Sequence, residues 1–171
     1  STIRCVSDVS DRESIERLLA ECVQAFGSAD ILVNSAGRTK REPTIDQSEE
    51  DWNAILETNL TGTLRACQIF GRQMVENRYG RIINIASTGG KQGVLHGSPY
   101  CASKHGMIGF ADGLRMELER DHPGVTVTTI TRAYTEALPL QKGQPAGARN
   151  VVDWELLDKW GDDLVVLSGC M

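Results

Sequence analysis

The chain has 171 residues and a formal net charge of −5, enough for one domain with a real core and no cationic excess for a nucleic acid or an anionic membrane. Hydrophobic residues make up 40% and charged residues 24% of the sequence, ordinary for a globular protein. No apolar run approaches the ~20 residues of a membrane span. The opening Ser1-Thr2-Ile3-Arg4-Cys5 has neither signal-peptide architecture nor an initiator Met, so the expectation is a chain that begins inside a longer protein. Five cysteines (Cys5, Cys22, Cys67, Cys101, Cys170) are scattered without a CxxC. They read as reduced thiols of a cytoplasmic protein. His96, His105 and His122 share no ligand spacing with them, so no metal is expected.

In chain order, Ile3-Arg4-Cys5-Val6 reads as a short strand ending at Asp8. Ser10 or Asp11 can cap a helix running to about Phe26, with Ile15, Leu18, Leu19, Cys22, Val23 and Phe26 on one stripe and Gly27 as its stop. Ile31-Leu32-Val33-Asn34 is a continuous apolar run of the kind found in buried parallel strands. Residues 38–50 are polar loop. Ser48 then caps a long helix, about 49–77, with Trp52, Ile55, Leu56, Leu60, Leu64, Cys67 and Ile69 among its apolar positions. Residues 81–86 form another strand and 88–98 a Gly-rich loop. Pro99 suits a first helical turn, and that helix runs to about Asp121. Pro123-Gly124 turns the chain into a strand over 125–130. Residues 139–150 read as loop. Val151 to Leu167 fits one helix interrupted at Gly161, with Leu164-Val165-Val166-Leu167 equally suited to a strand.

This alternation predicts a Rossmann-like, doubly wound α/β fold: a parallel sheet with helices on both faces, in one partial domain spanning 1–171. Ligands of such sheets bind beyond the carboxyl ends of the strands. Those ends are Asp8, Asn34, Ser87 and the segment after Ile130. Tyr100 opens its helix on the same edge, and Lys104 follows it at i+4, one turn on and on the same face. A phenol beside a fixed cation is an acid/base unit suited to protonating an alkoxide or deprotonating an alcohol. The same spacing by itself also suits an ordinary helix-surface pair.

Asp8-Val9, Asn34-Ser35-Ala36-Gly37, Asn59, Ser87, Tyr100 and Lys104 together, over about Ile3 to Ile130, resemble the short-chain dehydrogenase/reductase family. The resemblance implies hydride transfer between NADP or NAD, with NADP favoured, and a carbonyl/alcohol pair. It implies a catalytic set of Asn59, Ser87, Tyr100 and Lys104. Tyr100 would be the proton donor, and Lys104 would lower its pKa and bond the nicotinamide ribose. Ser87 would polarise the carbonyl, and Asn59 would hold a water that links Lys104 to solvent. Cofactor contacts would come from Asp8 at the adenine amine, Val9 packing beside it, Asn34, Ala36, Gly37, Tyr100 and Lys104. Each has a plainer alternative. Asp8 serves equally as a loop or capping acid, Ser87 as a turn former, Asn59 as a solvated helix residue, and Asn34 as a sheet stabiliser. The stretch Asn84 to Gly93 with Pro99-Tyr100 and Ser103-Lys104-His105-Gly106 is similar to ketoreductases of β-ketoacyl and polyketide chains. It implies a small-molecule ketone or secondary alcohol as substrate, with Lys91 either meeting an acyl carrier or simply exposed. Family members also pair the two long helices into homo-oligomers (dimers or tetramers), which Gly106, Gly109, Ala111 and Gly113 would permit, unless they face the sheet within one subunit.

Two departures stand out. No Gly-rich turn between a strand and a helix is found near the start, where the family holds the pyrophosphate. On the order of fifty residues of the pattern are missing, and the expectation is a fragment or truncated product. Arg132-Ala133 replace the family's Pro-Gly, and Ala137 stands where a Thr is expected, with Thr135 nearby. Residues 131–171 thus read as a shortened or degenerate substrate-loop region. These departures keep open a second reading, a non-catalytic reductase-like structural or regulatory subunit.

Overall fold

A computed structural model describes residues 2–132 and 164–167. Helix α1 spans Arg12–Phe26 and strand β1 Ile31–Asn34. Helix α2 (Glu49–Leu56) continues through a π segment (Glu57–Thr61) into α3 (Gly62–Glu76). Strand β2 is Gly80–Ser87, α4 is Ser98–Asp121, β3 is Val125–Arg132 and β4 is Leu164–Leu167. The ends follow local chemistry. The Asp11 carboxylate accepts the Glu13 N–H at 3.0 Å, and the Ser48 hydroxyl accepts the Asp51 N–H at 3.1 Å, each satisfying a helix donor that has no partner within its helix. Gly27 closes α1 at φ +89°, a backbone conformation that favours glycine.

The four strands are parallel in the order β3-β2-β1-β4. Register places Leu32, Ile82 and Val127 side by side, then Asn34, Asn84 and Thr129. Leu32, Ile82 and Val127 join Ile15, Leu18, Phe70 and Met74 in the core under α1, α3 and α4. Steps β1 to β2 and β2 to β3 run the same way across the sheet, so right-handed crossovers put their helices on one side. The expected parallel α/β sheet is present. Among the described residues its helices pack on one face rather than two.

Ile3–Val6 is not a strand. No described strand pairs with it, and an extended segment without a ladder partner leaves its N–H and C=O groups to water. Val6 is accordingly exposed, while Cys5 packs against the core edge. Of the two options for the tail, residues 164–167 form a strand, registered from Ile31 against Leu164 to Asn34 against Leu167. The 139–150 loop, the rest of the 151–163 stretch, Ala133, Thr135 and Ala137 lie outside the described residues, as does the Arg132 side chain.

Apolar periodicity located most of the core, but not all of it. Phe70 and Met74 have no exposed surface, whereas Trp52 is 39% exposed. Of the four small residues on α4, Ala111 is buried within the chain and Gly106 lies against Leu60. Gly109 and Gly113 face open space.

A Cβ on Gly124 would drive into the Arg78 backbone carbonyl, whereas one on Gly109 meets nothing within 4 Å. Gly124→Ala is therefore expected to lower the unfolding free energy by about 1–3 kcal/mol. Gly109→Ala is expected to raise it by up to about 1 kcal/mol through helix propensity. Urea titration of both variants checks this; shifts of the same sign would contradict it.

Candidate active site

Strand β2 runs into a tight 3-10 turn, Thr88–Gly90, that the Ser87 hydroxyl caps by accepting the Gly89 N–H at 3.1 Å. This turn seats the site. A Cβ on Gly89 would lie 3.2 Å from the Tyr100 ring and 3.6 Å from the Ser87 Oγ, so the phenol and the hydroxyl flank the same glycine. A Cβ on Gly90 would meet the Lys104 carbonyl oxygen at 2.7 Å. The missing side chain at Gly90 lets the turn come this close to the backbone of α4, and a Cβ at Gly89 would crowd the Tyr100 ring.

Lys104 is 5% exposed and its Nζ donates to the Ile85 carbonyl at 2.8 Å. The ammonium lies 5.9 Å from the centroid of the Tyr100 ring. Burial pushes the Lys104 pKa down to about 8, because desolvation disfavours the charged form. Below that pH the group is a fixed cation beside the Tyr100 ring.

Asn59 is fully buried on the π segment. Such segments recur at functional sites, since one extra residue per turn re-aims the side chains around it. Its Oδ1 accepts the Arg38 N–H at 2.7 Å, and its Nδ2 donates to the Arg38 carbonyl at 2.9 Å and to the Ser103 hydroxyl at 3.0 Å. The solvated-helix alternative is thereby overturned. The side chain's hydrogen bonds go to protein groups, so a water between Asn59 and Lys104 would have to be held otherwise, the Asn59 carbonyl being shared with the Thr63 hydroxyl at 2.9 Å.

The cofactor-side residues divide. Asn34 is buried, and its amide donates to the Asn84 Oδ1 at 2.8 Å and to the Cys67 sulfur at 3.4 Å. It ties β1 to β2 and α3 and points into the core, as the sheet-stabilising alternative has it. Ala36 and Gly37 are half-buried beyond β1, with the Gly37 Cβ position 3.7 Å from the Asn59 Oδ1. Asp8 is exposed; Ser10 donates to its Oδ1 from both N–H and hydroxyl, which holds the carboxyl below its usual pKa. Val9 packs against Gly62, and Arg65 reaches its carbonyl. Asp8 and Val9 are thus anchored to α1 and α3. Lys91 is exposed at the end of the 3-10 turn.

Sequence reasoning did not single out Ser14, Asn84 or Ser103 for the site. Ser14 accepts the Asp8 N–H at 3.0 Å, and Ser103 is fully buried beside Lys104. The signal was a small polar residue on an otherwise core-facing helix or strand position. Among the described residues no group of three or more His, Cys, Asp or Glu side chains could hold a metal, and no helix is long and apolar enough to cross a membrane. Cys5, Cys22, Cys67 and Cys101 are free thiols.

The fold and site define a class: a parallel α/β protein with a serine, a tyrosine and a buried lysine at the carboxyl edge of its sheet. Residues 1–146 match the short chain dehydrogenase family, and the chain belongs to it. A Streptomyces coelicolor protein assigned as a ketoacyl reductase is 45% identical over 131 residues, covering 75% of this chain and 49% of the relative. The 3-oxoacyl-(acyl-carrier-protein) reductase FabG of Haemophilus influenzae is 39% identical over 129 residues, covering 75% and 52%. A solved point variant of actinorhodin polyketide ketoreductase with NADPH superposes at a TM-score of 0.70 and 46% identity, over 73% of this chain and 48% of that one. The chain spans about half the length of the curated relatives it matches.

The lowered Lys104 pKa has a thermodynamic sign. Between pH 8 and the ordinary lysine value the unfolded chain binds the proton and the folded chain does not, so this group makes stability rise with pH across that window. The rise is worth about 3 kcal/mol. Burial raises the Cys22 and Cys67 pKa values, and those thiols act in the opposite sense at alkaline pH. The difference between the wild type and Lys104→Met isolates the lysine: the wild type should gain stability relative to the variant from pH 8 to 10.5. A constant difference in urea titrations across that range would contradict the assignment.

Proposed function

We propose that this chain carries the acid/base machinery of an NAD(P)-dependent reductase that converts a ketone of 3-oxoacyl or polyketide type to a secondary alcohol, or runs the reverse. The observation that carries the reading is the convergence of Ser87, Tyr100 and Lys104 around the Gly89–Gly90 turn. Relatives named for ketoacyl reduction support the substrate class, and the NADPH-bound relative supports the choice of NADP over NAD.

The residues present fit the nicotinamide-ribose end of such a cofactor. Lys104 has three N–H donors; it spends one on the Ile85 carbonyl at 2.8 Å and a weak one on the Met107 sulfur at 3.9 Å, leaving one for a ribose hydroxyl. Ala36 and Gly37 offer backbone with little side chain in the way. The chemistry the cofactor supplies when bound is hydride. Ser87 hydrogen-bonds the substrate carbonyl oxygen and stabilises the charge that develops there. Tyr100 gives that oxygen its proton, and the neighbouring Lys104 cation favours the phenolate left behind. Asn59 holds the loop after β1 against α4. Asp8 and Val9 would meet the adenine end.

The same reading takes the protein as a cytoplasmic homo-oligomer that pairs copies through α2–α3 and α4. The open Gly109 and Gly113 and the 65% exposed Met116 support that face.

Nicotinamide fluorescence during titration with NADPH and NADH tests binding, and turnover of a 3-oxoacyl thioester tests chemistry. Tyr100→Phe should lower turnover by ~10²–10⁴-fold and leave the cofactor dissociation constant nearly unchanged. Turnover retained in that variant would remove Tyr100 from the role of proton donor. Binding and turnover both absent in the wild type would favour a non-catalytic subunit.

A further inference from the structure

We propose that Ser103 is a positioning residue for the proton-transfer pair, the last link of a hydrogen-bonded clamp that ties the loop after β1 to the backbone of Tyr100. The inference rests on the reductase reading for its consequence, but not for its geometry. Four bonds form the clamp: Arg38 N–H to Asn59 Oδ1 at 2.7 Å, Asn59 Nδ2 to the Arg38 carbonyl at 2.9 Å, Asn59 Nδ2 to Ser103 Oγ at 3.0 Å, and Ser103 Oγ to the Tyr100 carbonyl at 2.7 Å.

A serine inside a helix commonly donates to a carbonyl one turn back and does nothing more. Ser103 differs in two respects. It is fully buried, and it accepts a bond from a fully buried asparagine on another helix, at the π segment. One hydroxyl has one donor and two acceptor sites, so Ser103 links Asn59 to Tyr100 with a single atom. Asn59 in turn spends both amide hydrogens and its carbonyl oxygen, with no slack to compensate for the loss of any one partner.

The clamp spans the two sides of the site. Arg38 directly follows Ala36-Gly37, where the cofactor would pass. Tyr100 and Lys104 stand on α4, with Ser103 between them. Ser103 therefore sets the phenol's position relative to the cofactor loop without touching substrate. A small displacement of a proton donor costs rate far more than it costs binding.

The test uses the full chain and two readouts. The first is hydrogen exchange at the Arg38 amide, which Ser103 does not touch and which depends on it only through Asn59. In Ser103→Ala that amide should exchange about tenfold faster or more, with amides in the second half of α4 unchanged. Ser103→Thr, which keeps the hydroxyl, should restore the protection. If Ser103→Ala does not fold, Ser103→Cys, of similar size and poor hydrogen-bonding power, takes its place. The second readout is turnover: kcat should fall about tenfold in Ser103→Ala, with the KM for NADPH within about twofold of wild type, and return in Ser103→Thr. An Arg38 amide that exchanges at the wild-type rate in a folded Ser103→Ala or Ser103→Cys overturns the clamp. Faster exchange in Ser103→Ala, in a protein whose wild type shows no turnover, keeps the clamp and overturns the reductase reading instead.

Discussion

Lys104 is held where it is chiefly by the hydrogen bond from its ammonium to the carbonyl of Ile85 near the end of β2, with a weaker one to the Met107 sulfur on its own helix. A buried ammonium costs free energy unless it is bonded, and this one is bonded to the strand that also delivers Ser87 two residues later. The bond thereby fixes the height of α4 along the sheet edge. With α4 at that height, Tyr100 falls one turn nearer the rim, beside Gly89. The 3-10 turn can pass because position 90 lacks a side chain, and a Cβ at position 89 would already crowd the Tyr100 ring. Pairing of β2 with β1 ends at Asn84 opposite Asn34, one residue before Ile85, while pairing with β3 continues to Ser87, so the lysine is seated just past the end of β1.

Beneath the site lies a second polar layer. Asn34 and Asn84, opposite each other in register, share a hydrogen bond in the core, with the Cys67 thiol alongside. Burial drives the pKa of that thiol up to about 12, so it packs as a neutral group. This layer joins two strands and a helix just below the carboxyl edge. The Asn59 clamp joins the loop above that edge to α4. Between them, the segment from Asn34 to Arg38 is tied at both ends, and the small residues Ala36 and Gly37 are held between the two ties.

Much of the fold was legible in the chain. The alternation of apolar runs and 3.6-period stripes located α1, the long α2–α3 helix, α4 and three of the strands. Capping residues Asp11 and Ser48 and the stop at Gly27 marked their ends. These signals are local, because caps and periodicity are satisfied within a few residues. Ile3–Val6 failed as a strand for the converse reason: its composition suits a strand, but a strand is made by its neighbour. The tail run Leu164–Leu167 was ambiguous alone and became a strand because β1 offered it an edge.

The site shows the same division. Sequence by itself determined the residue types and their order: a tyrosine and a lysine one helical turn apart, a serine ending a strand, small residues after β1. Those follow from spacing along one element, where the chain fixes the distance. Only the tertiary structure decided which polar side chains turn toward the site and which turn away from it. Asn34 turned out to face Asn84, Asn59 proved to be a tie between Arg38 and Ser103, and Ser103, read from the sequence only as part of a ketoreductase-like stretch, gained a partner 44 positions away in the chain. Each of these depends on a bond between elements distant in sequence. Such a bond exists only after packing has excluded water and brought buried polar atoms of distant segments within reach of one another.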